Sequence, residues 1–184
     1  MSEFFNQVTG GRSVRAVTVL RMNSAAPHSR AAADDQPAVD GPLARTHLAH
    51  EIEYLTVKAF VRGTRLANVR LEEIGLRARS YSLLALACSG IDATQRELAS
   101  ALELDPSQIV ALVDTLEEKG LVRRDADPRD RRSRVVRATD AGDALFARAR
   151  QVTAQAEAEV LSMLTPAERE TLRGLLRKIV FAAE

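Results

Sequence analysis

Tryptophan is absent from this chain, and aromatic residues make up only 4% of its 184 positions. That argues against a carbohydrate-binding surface and against a single-strand binder that stacks successive bases on aromatic rings. A lone cysteine, Cys88, excludes an internal disulfide and fits a reducing, cytoplasmic setting. No apolar run approaches the roughly eighteen residues of a membrane span. The arginines near the N-terminus (Arg12, Arg15 and Arg21) are not followed by the apolar stretch of a signal peptide. Histidine is scarce too, with only His28, His47 and His50. With no glycine-rich phosphate loop, no Walker motif and no nucleophile–base pair in evidence, catalysis is not expected, and no cofactor is called for.

What is present is enough apolar residue (46%) for a core, together with 28% charged residues. The net charge of +1 is uninformative, but its distribution is not. Between Lys119 and Arg137 stand Lys119, Arg123, Arg124, Arg129, Arg131, Arg132, Arg134 and Arg137 against three acids, a local balance of +5. A stretch of that length at the chain's average would carry about three basic residues. Arginine outnumbers lysine 23 to 3. A compositional bias explains that choice of residue, but it does not explain the clustering.

Residues 1–42 read as a loosely ordered N-terminal extension. The stretch 23–42 is rich in Ala, Pro, Asp and Ser and has little to bury. Val14 to Leu20 has no evident partner for a strand or helix, and Met22 is an alternative start. From Leu43 the pattern turns helical. Leu48, Ile52, Leu55 and Ala59 recur at spacings of three and four, with Tyr54, Val57 and Phe60 widening the apolar face. A second helix over about 79–88 is almost continuously apolar, which makes Cys88 an inert core thiol rather than a reactive one.

The clearest local grammar follows. Thr94-Gln95-Arg96-Glu97 is a capping box. Asp105-Pro106-Ser107-Gln108 starts another helix, with Asp as N-cap and Pro at the first helical position. Lys119-Gly120 stops that helix, with glycine in the left-handed position. Two capped helices joined by a short turn make a helix-turn-helix. Beyond it, 121–124 and 133–138 read as two strands around the polar loop 125–132, a hairpin with a charged tip. A long helix over about 139–164 follows, and Thr165-Pro166-Ala167-Glu168 caps a last one. The fold class expected is mainly α with a small β-hairpin wing: a winged helix-turn-helix at 75–138. Helices at 43–74 and 139–184 flank it, carry more apolar surface than one chain can bury, and point to an intertwined homodimer.

This order resembles the MarR family of winged-helix transcription regulators over about Leu43 to Ala183. The residues that carry the likeness are Gln95-Arg96-Glu97-Leu98-Ala99, the run from Leu116 to Val122, and Asp127-Pro128-Arg129-Asp130-Arg131-Arg132 with Arg137-Ala138-Thr139. Leu164 to Arg169 adds to it. The resemblance implies a dimer on pseudo-palindromic double-stranded DNA, with the second motif helix in the major groove and each wing in a flanking minor groove. It assigns base or backbone contact to Ser107, Gln108 and Ala111, and phosphate contact to Thr94, Gln95 and Arg96. Relatives often carry Thr and Arg where this chain has Val110 and Ala111, which shifts recognition toward thymine methyls and DNA shape. At the tip, Arg132 enters the minor groove, held by a salt bridge from Asp130, while Arg129, Arg131 and Arg134 meet phosphate or sugar.

The resemblance also implies a small aromatic or anionic effector. Candidate contacts are Tyr54, Lys58 and Phe60 from the first helix and Arg77, Arg79 and Tyr81 around the start of the second. The alternative is that these aromatics are core and the arginines surface. His47, His50 and Glu51 at helical spacing suggest a polar helix face rather than a metal site. The competing function is a winged-helix dimer that binds proteins and not DNA, and the arginine density at 129–134 weighs against it.

Overall fold

The computed structural model describes residues 41–182; the expectations for the extension over 1–40 lie outside them. Pro42–Arg45 and His47–His50 form short 3₁₀ turns, followed by α1 (Ile52–Glu72), α2 (Ala78–Ala87), α3 (Gln95–Ala101) and α4 (Pro106–Glu118). Then come β1 (Val122–Ala126), β2 (Arg134–Ala138), α5 (Asp140–Val160) and α6 (Pro166–Val180). The first helix therefore starts at Ile52 and not in the forties. Thr46 is extended and turns its hydroxyl onto the Leu43 carbonyl at 2.7 Å. His47 and His50 consequently share no α-helical face.

Local signals account for most boundaries. Thr94 and Thr165 both complete reciprocal capping boxes, with Glu97 and Glu168 respectively. Gly120, at φ +68, ends α4: its N–H donates to the Glu117 carbonyl, and that of Leu121 reaches back to Leu116 at 2.9 Å. Glu103, at φ +51, takes the same left-handed position after α3 without being glycine, and Leu104 donates back to the Ala99 carbonyl. Asp105 sits at the N-cap of α4, but its side chain makes no capping bond. The long helix ends at Val160, four residues early, because the Leu161–Leu164 turn intervenes before Thr165 caps α6.

The core lies inside the winged unit. Leu83 and Leu84 of α2, Leu98 of α3, and Ile109 and Val113 of α4 are fully buried, each worth about 1.5–3 kcal/mol of transfer free energy. Cys88 packs against this cluster. Burial, then a hydrogen bond and the charge of Asp143, push its thiol up to about 12, which removes its nucleophilic form. β1 pairs antiparallel with β2, Val122 opposite Ala138 and Ala126 opposite Arg134. Thr94 bridges to Val135, and the Val136 N–H donates to the Ala93 carbonyl at 2.9 Å. The hairpin is thereby stitched to the segment that opens α3.

α1 lies along α5, where the buried Ala149 and Ala156, one heptad apart, let the helices approach closely. α6 has no buried residue. Leu175, Ile179, Val180 and Phe181 at its end, and Ile52 and Phe60 on α1, are widely exposed. An apolar groove of about 800 Å³ runs between α1, α5 and α6. No helix among the described residues is long and apolar enough to cross a membrane.

At the junction of α5 with the end of α4, the Thr139 hydroxyl donates to the Gly120 carbonyl at 2.6 Å and accepts from the Gly142 N–H at 3.1 Å. A Cβ on Gly142 would lie 2.0 Å from the Leu121 carbonyl oxygen. Gly142→Ala is therefore expected to lower stability by about 2 kcal/mol or more, measured as a fall in the urea midpoint at unchanged m-value.

Candidate nucleic-acid interface

The helix α4 is two-faced. Ile109, Val113 and Leu116 point into the core, while Ser107, Gln108, Val110 and Ala111 are exposed along its first two turns. These exposed side chains are a hydroxyl, a carboxamide and two small apolar groups, a set that suits base edges and thymine methyls. Further along the same helix stand Asp114 and Glu117. Both carboxylates are taken by Arg124 of β1, which also donates to the Gln95 Oε1 at 3.5 Å. The Glu117 carboxylate additionally accepts from the backbone N–H of Arg124 at 3.1 Å. Gln95 is thus turned toward Arg124, with its Nε2 buried and without a partner. Sequence reasoning placed Gln95 at a phosphate; its side chain instead helps tie α3 to β1. Arg96 beside it is exposed and makes no ion pair among the described residues.

A second network fastens the wing. Asp127 is 3% exposed. Its Oδ1 accepts from the backbone N–H of Arg129 at 2.8 Å and from Arg129 Nε at 3.0 Å. The same guanidinium reaches both oxygens of Glu97, at 3.3 and 3.2 Å, and the Asp92 carbonyl at 3.1 Å. Arg137 forks onto Asp92 with two 2.6 Å bonds and touches Asp125 at 3.4 Å. Arg123 pairs with Asp125 at 2.9 Å, and Lys119 donates to the Gly75 carbonyl at 2.9 Å. Five of the eight clustered basic residues are therefore engaged within the fold. Of the carboxylates involved, Asp125 and Asp127 lie within the basic segment, whereas Asp92, Glu97, Asp114 and Glu117 are brought to it by the fold.

The tip itself differs from expectation in one bond. Asp130 makes no ion pair with the Arg132 side chain. Its Oδ1 accepts from the Arg132 backbone N–H at 3.0 Å and its Oδ2 from the Ser133 hydroxyl at 3.2 Å. A short carboxylate two residues upstream reaches a backbone N–H more readily than a long, solvated guanidinium. Asp130 thus shapes the loop. Arg131, Arg132 and Arg134 are exposed and, among the described residues, have no carboxylate partner.

Within one chain the expected effector contacts do not converge. Lys58 lies 6.0 Å from the Tyr54 ring near the outer end of α1, whereas α2 docks at the other end, where Asn68 accepts from the Ala78 N–H. The two points are about 15 Å apart along the helix axis. Phe60 faces the α1–α5–α6 groove, Arg77 pairs with Glu72 at 3.3 Å, and Arg79 is exposed. Tyr81 packs in the interior, its ring 5.8 Å from that of Phe146 and its oxygen accepting from Thr153. No group of three or more His, Cys, Asp or Glu among the described residues could hold a metal ion.

An exposed motif helix beside an arginine-tipped hairpin is the geometry of a winged helix-turn-helix, and the likeness to known proteins runs the same way. A sequence profile of the MarR family matches residues 76–133. A MarR-family transcriptional regulator from Rhodococcus sp. RHA1 superposes with a TM-score of 0.68 at 36% identity, covering 73% of this chain and 96% of that one. The chain belongs to the MarR family. CouR from Rhodococcus jostii RHA1, solved bound to p-coumaroyl-CoA, is 37% identical with a TM-score of 0.67, over 74% of this chain and 96% of its own. A protein assigned to transcriptional regulation of the hcr operon in Thauera aromatica is 36% identical over 105 residues, or 57% of this chain. The match spans 63% of that curated relative's length. MarR proteins are transcriptional regulators, not enzymes.

The wing network has an acid-sensitive signature. The hydrogen bond from Arg137 lowers the pKa of Asp92; those from Thr94 and then Arg129 lower Glu97; those from Arg129 lower Asp127. Carboxylates held below their unfolded values stabilise fully above about pH 5 and lose that contribution as pH falls through the unfolded and then the folded values. The urea midpoint is expected to drop between about pH 5 and pH 3, and Asp127→Asn is expected to show a smaller drop over the same range.

Proposed function

We propose that this MarR chain is a sequence-specific duplex-DNA-binding regulator, acting as a repressor by occupying a pseudo-palindromic operator as a homodimer. The observation that carries this is the division of its positive charge. Three arginines project unpaired from the wing, while Arg123, Arg124, Arg129 and Arg137 behind them are paired with carboxylates. Ser107, Gln108, Val110 and Ala111 would meet the major groove, and Arg132 the minor groove, where focused negative potential favours a guanidinium. Arg131, Arg134 and Arg96 would orient the protein on phosphates. A surface built for protein contact has no use for three uncompensated guanidinium groups within four residues.

The dimer is supported by the unpartnered helices. A fifteen-residue helix with no buried side chain is marginal alone. A second copy laid across α1, α5 and α6 would cover its exposed leucine, isoleucine and phenylalanine side chains. Symmetric pairing also supplies the two reading helices that a palindrome needs.

The effector class we infer is an aromatic anion. CouR was solved with p-coumaroyl-CoA, and a Mycobacterium tuberculosis relative, 26% identical, with salicylic acid. To act as a switch, such a molecule must bind the DNA-competent and DNA-incompetent states unequally.

With the three wing arginines and Arg96 of each protomer on the duplex, log K should fall with log salt at a slope of about −7. Arg132→Ala is expected to cost about ten-fold or more in operator affinity and to flatten that slope by about two. Fluorescence anisotropy on the promoter beside the protein's own coding region reads both; unchanged affinity in the variant removes the wing from recognition.

A further inference from the structure

Glu97 does more than a cap requires. Its Oε2 accepts from the Thr94 backbone N–H at 2.6 Å and the Thr94 hydroxyl at 2.8 Å, which completes the capping box. Both of its oxygens also face Arg129, thirty-two residues downstream, in a two-pronged pairing. We propose that Glu97 and Arg129 form a latch fixing the wing tip to the start of α3, so that Arg129 is a positioning residue for Arg132 and not a phosphate ligand. The latch rests on the duplex-DNA reading above.

Two observations carry it. The tip is internally closed: the Asp127 N–H donates to the Ser133 carbonyl at 3.0 Å, the Ser133 N–H to the Asp130 carbonyl at 2.9 Å, and Asp130 holds Arg132 and Ser133. None of these bonds sets where the tip lies relative to the helix pair. Among the described residues, the hydrogen bonds that leave 127–133 for that pair all come from the Arg129 side chain, to Glu97 and to the Asp92 carbonyl. The base of the hairpin is stitched down by the Thr94–Val135 bridge, the Val136–Ala93 bond and the Arg137–Asp92 pair. Without the Arg129 tether, however, the loop beyond that base is free to bend, and an arginine three residues further on would move with it. The fork geometry matters, because a planar guanidinium on a carboxylate fixes orientation where an ammonium gives one point of contact.

The second observation is charge. Arg129 lies against Asp127 as well as Glu97, so the trio carries a net −1. A cation already enclosed by two carboxylates offers little attraction to a phosphate.

Glu97→Gln separates the possibilities by sign. Glutamine still serves a capping box, so α3 survives, but the charged fork to Arg129 is lost. Removing a negative charge beside DNA should, by electrostatics alone, tighten binding to any duplex. The latch demands the opposite for the preferred sequence. The probes are the duplex that the wild-type chain enriches from a randomised library and an unrelated duplex of equal length, both read by anisotropy. Glu97→Gln and Arg129→Lys are each expected to weaken the enriched duplex about ten-fold while leaving the unrelated duplex as tight or tighter. In either background the Arg132→Ala penalty is expected to shrink to about two-fold, because Arg132 no longer reaches its groove. Affinity for the enriched duplex at or above wild type, or an undiminished Arg132→Ala penalty, overturns the latch. Equal losses on both duplexes overturn it too, since they mark Arg129 as a phosphate contact. Failure of the wild-type chain to enrich any duplex overturns the DNA reading itself and the latch with it.

Discussion

A two-stranded hairpin is barely stable by itself, yet a winged helix-turn-helix needs its hairpin held at a fixed distance from its exposed motif helix. The structure meets that demand chiefly with arginine–carboxylate pairs laid across element boundaries. Arg124 joins β1 to the middle and end of α4 and to the first residue of α3. Arg137 joins β2 to the loop before α3, and Arg129 joins the tip to the capping box. Buried Val122, Val135 and Val136 supply the apolar base beneath them. Exposed ion pairs contribute little singly, but here several share partners and together hold the hairpin in one geometry against the helix pair.

The same pairs explain why a strongly basic segment leaves so few free cations. Counting charge along the chain treats every arginine as equivalent. In the fold, Arg123, Arg124, Arg129 and Arg137 meet carboxylates, while Arg131, Arg132 and Arg134 meet solvent. The distinction between Arg129 and Arg132, three residues apart, is a matter of which way the loop turns, and Asp130 and Asp127 decide that turn through backbone N–H groups.

At the other end of the molecule the constraint is unmet apolar surface. α5 and α6 are joined by a short turn and α1 lies along α5, yet α6 buries nothing within one chain. The groove that these helices leave is lined by Phe60, Leu172, Leu176 and Val180, side chains that water disfavours. The winged unit and the helices with unmet apolar surface are thus distinct, and α5 belongs to both: Gly142 at its start packs under the end of α4, while the rest of the helix lies along α1.

Interactions closing within a few residues could be read directly from the sequence. The capping boxes at Thr94 and Thr165 and the glycine stop at Gly120 depend on side chains and backbone groups three to five positions apart, so spacing alone specified them. The hairpin and the helix-turn-helix followed from the caps and turn signals that bound their elements. The start of α1, the early end of α5 and the direction of Gln95 did not follow, because each turns on a competing local bond or a distant partner that periodicity does not encode. Nor did the scattering of the six effector candidates, which follows from the length of one unbroken helix. Which arginines face outward was decided only by tertiary structure, since a guanidinium is neutralised by whatever carboxylate folding brings within reach, and Glu97 lies thirty-two residues from Arg129.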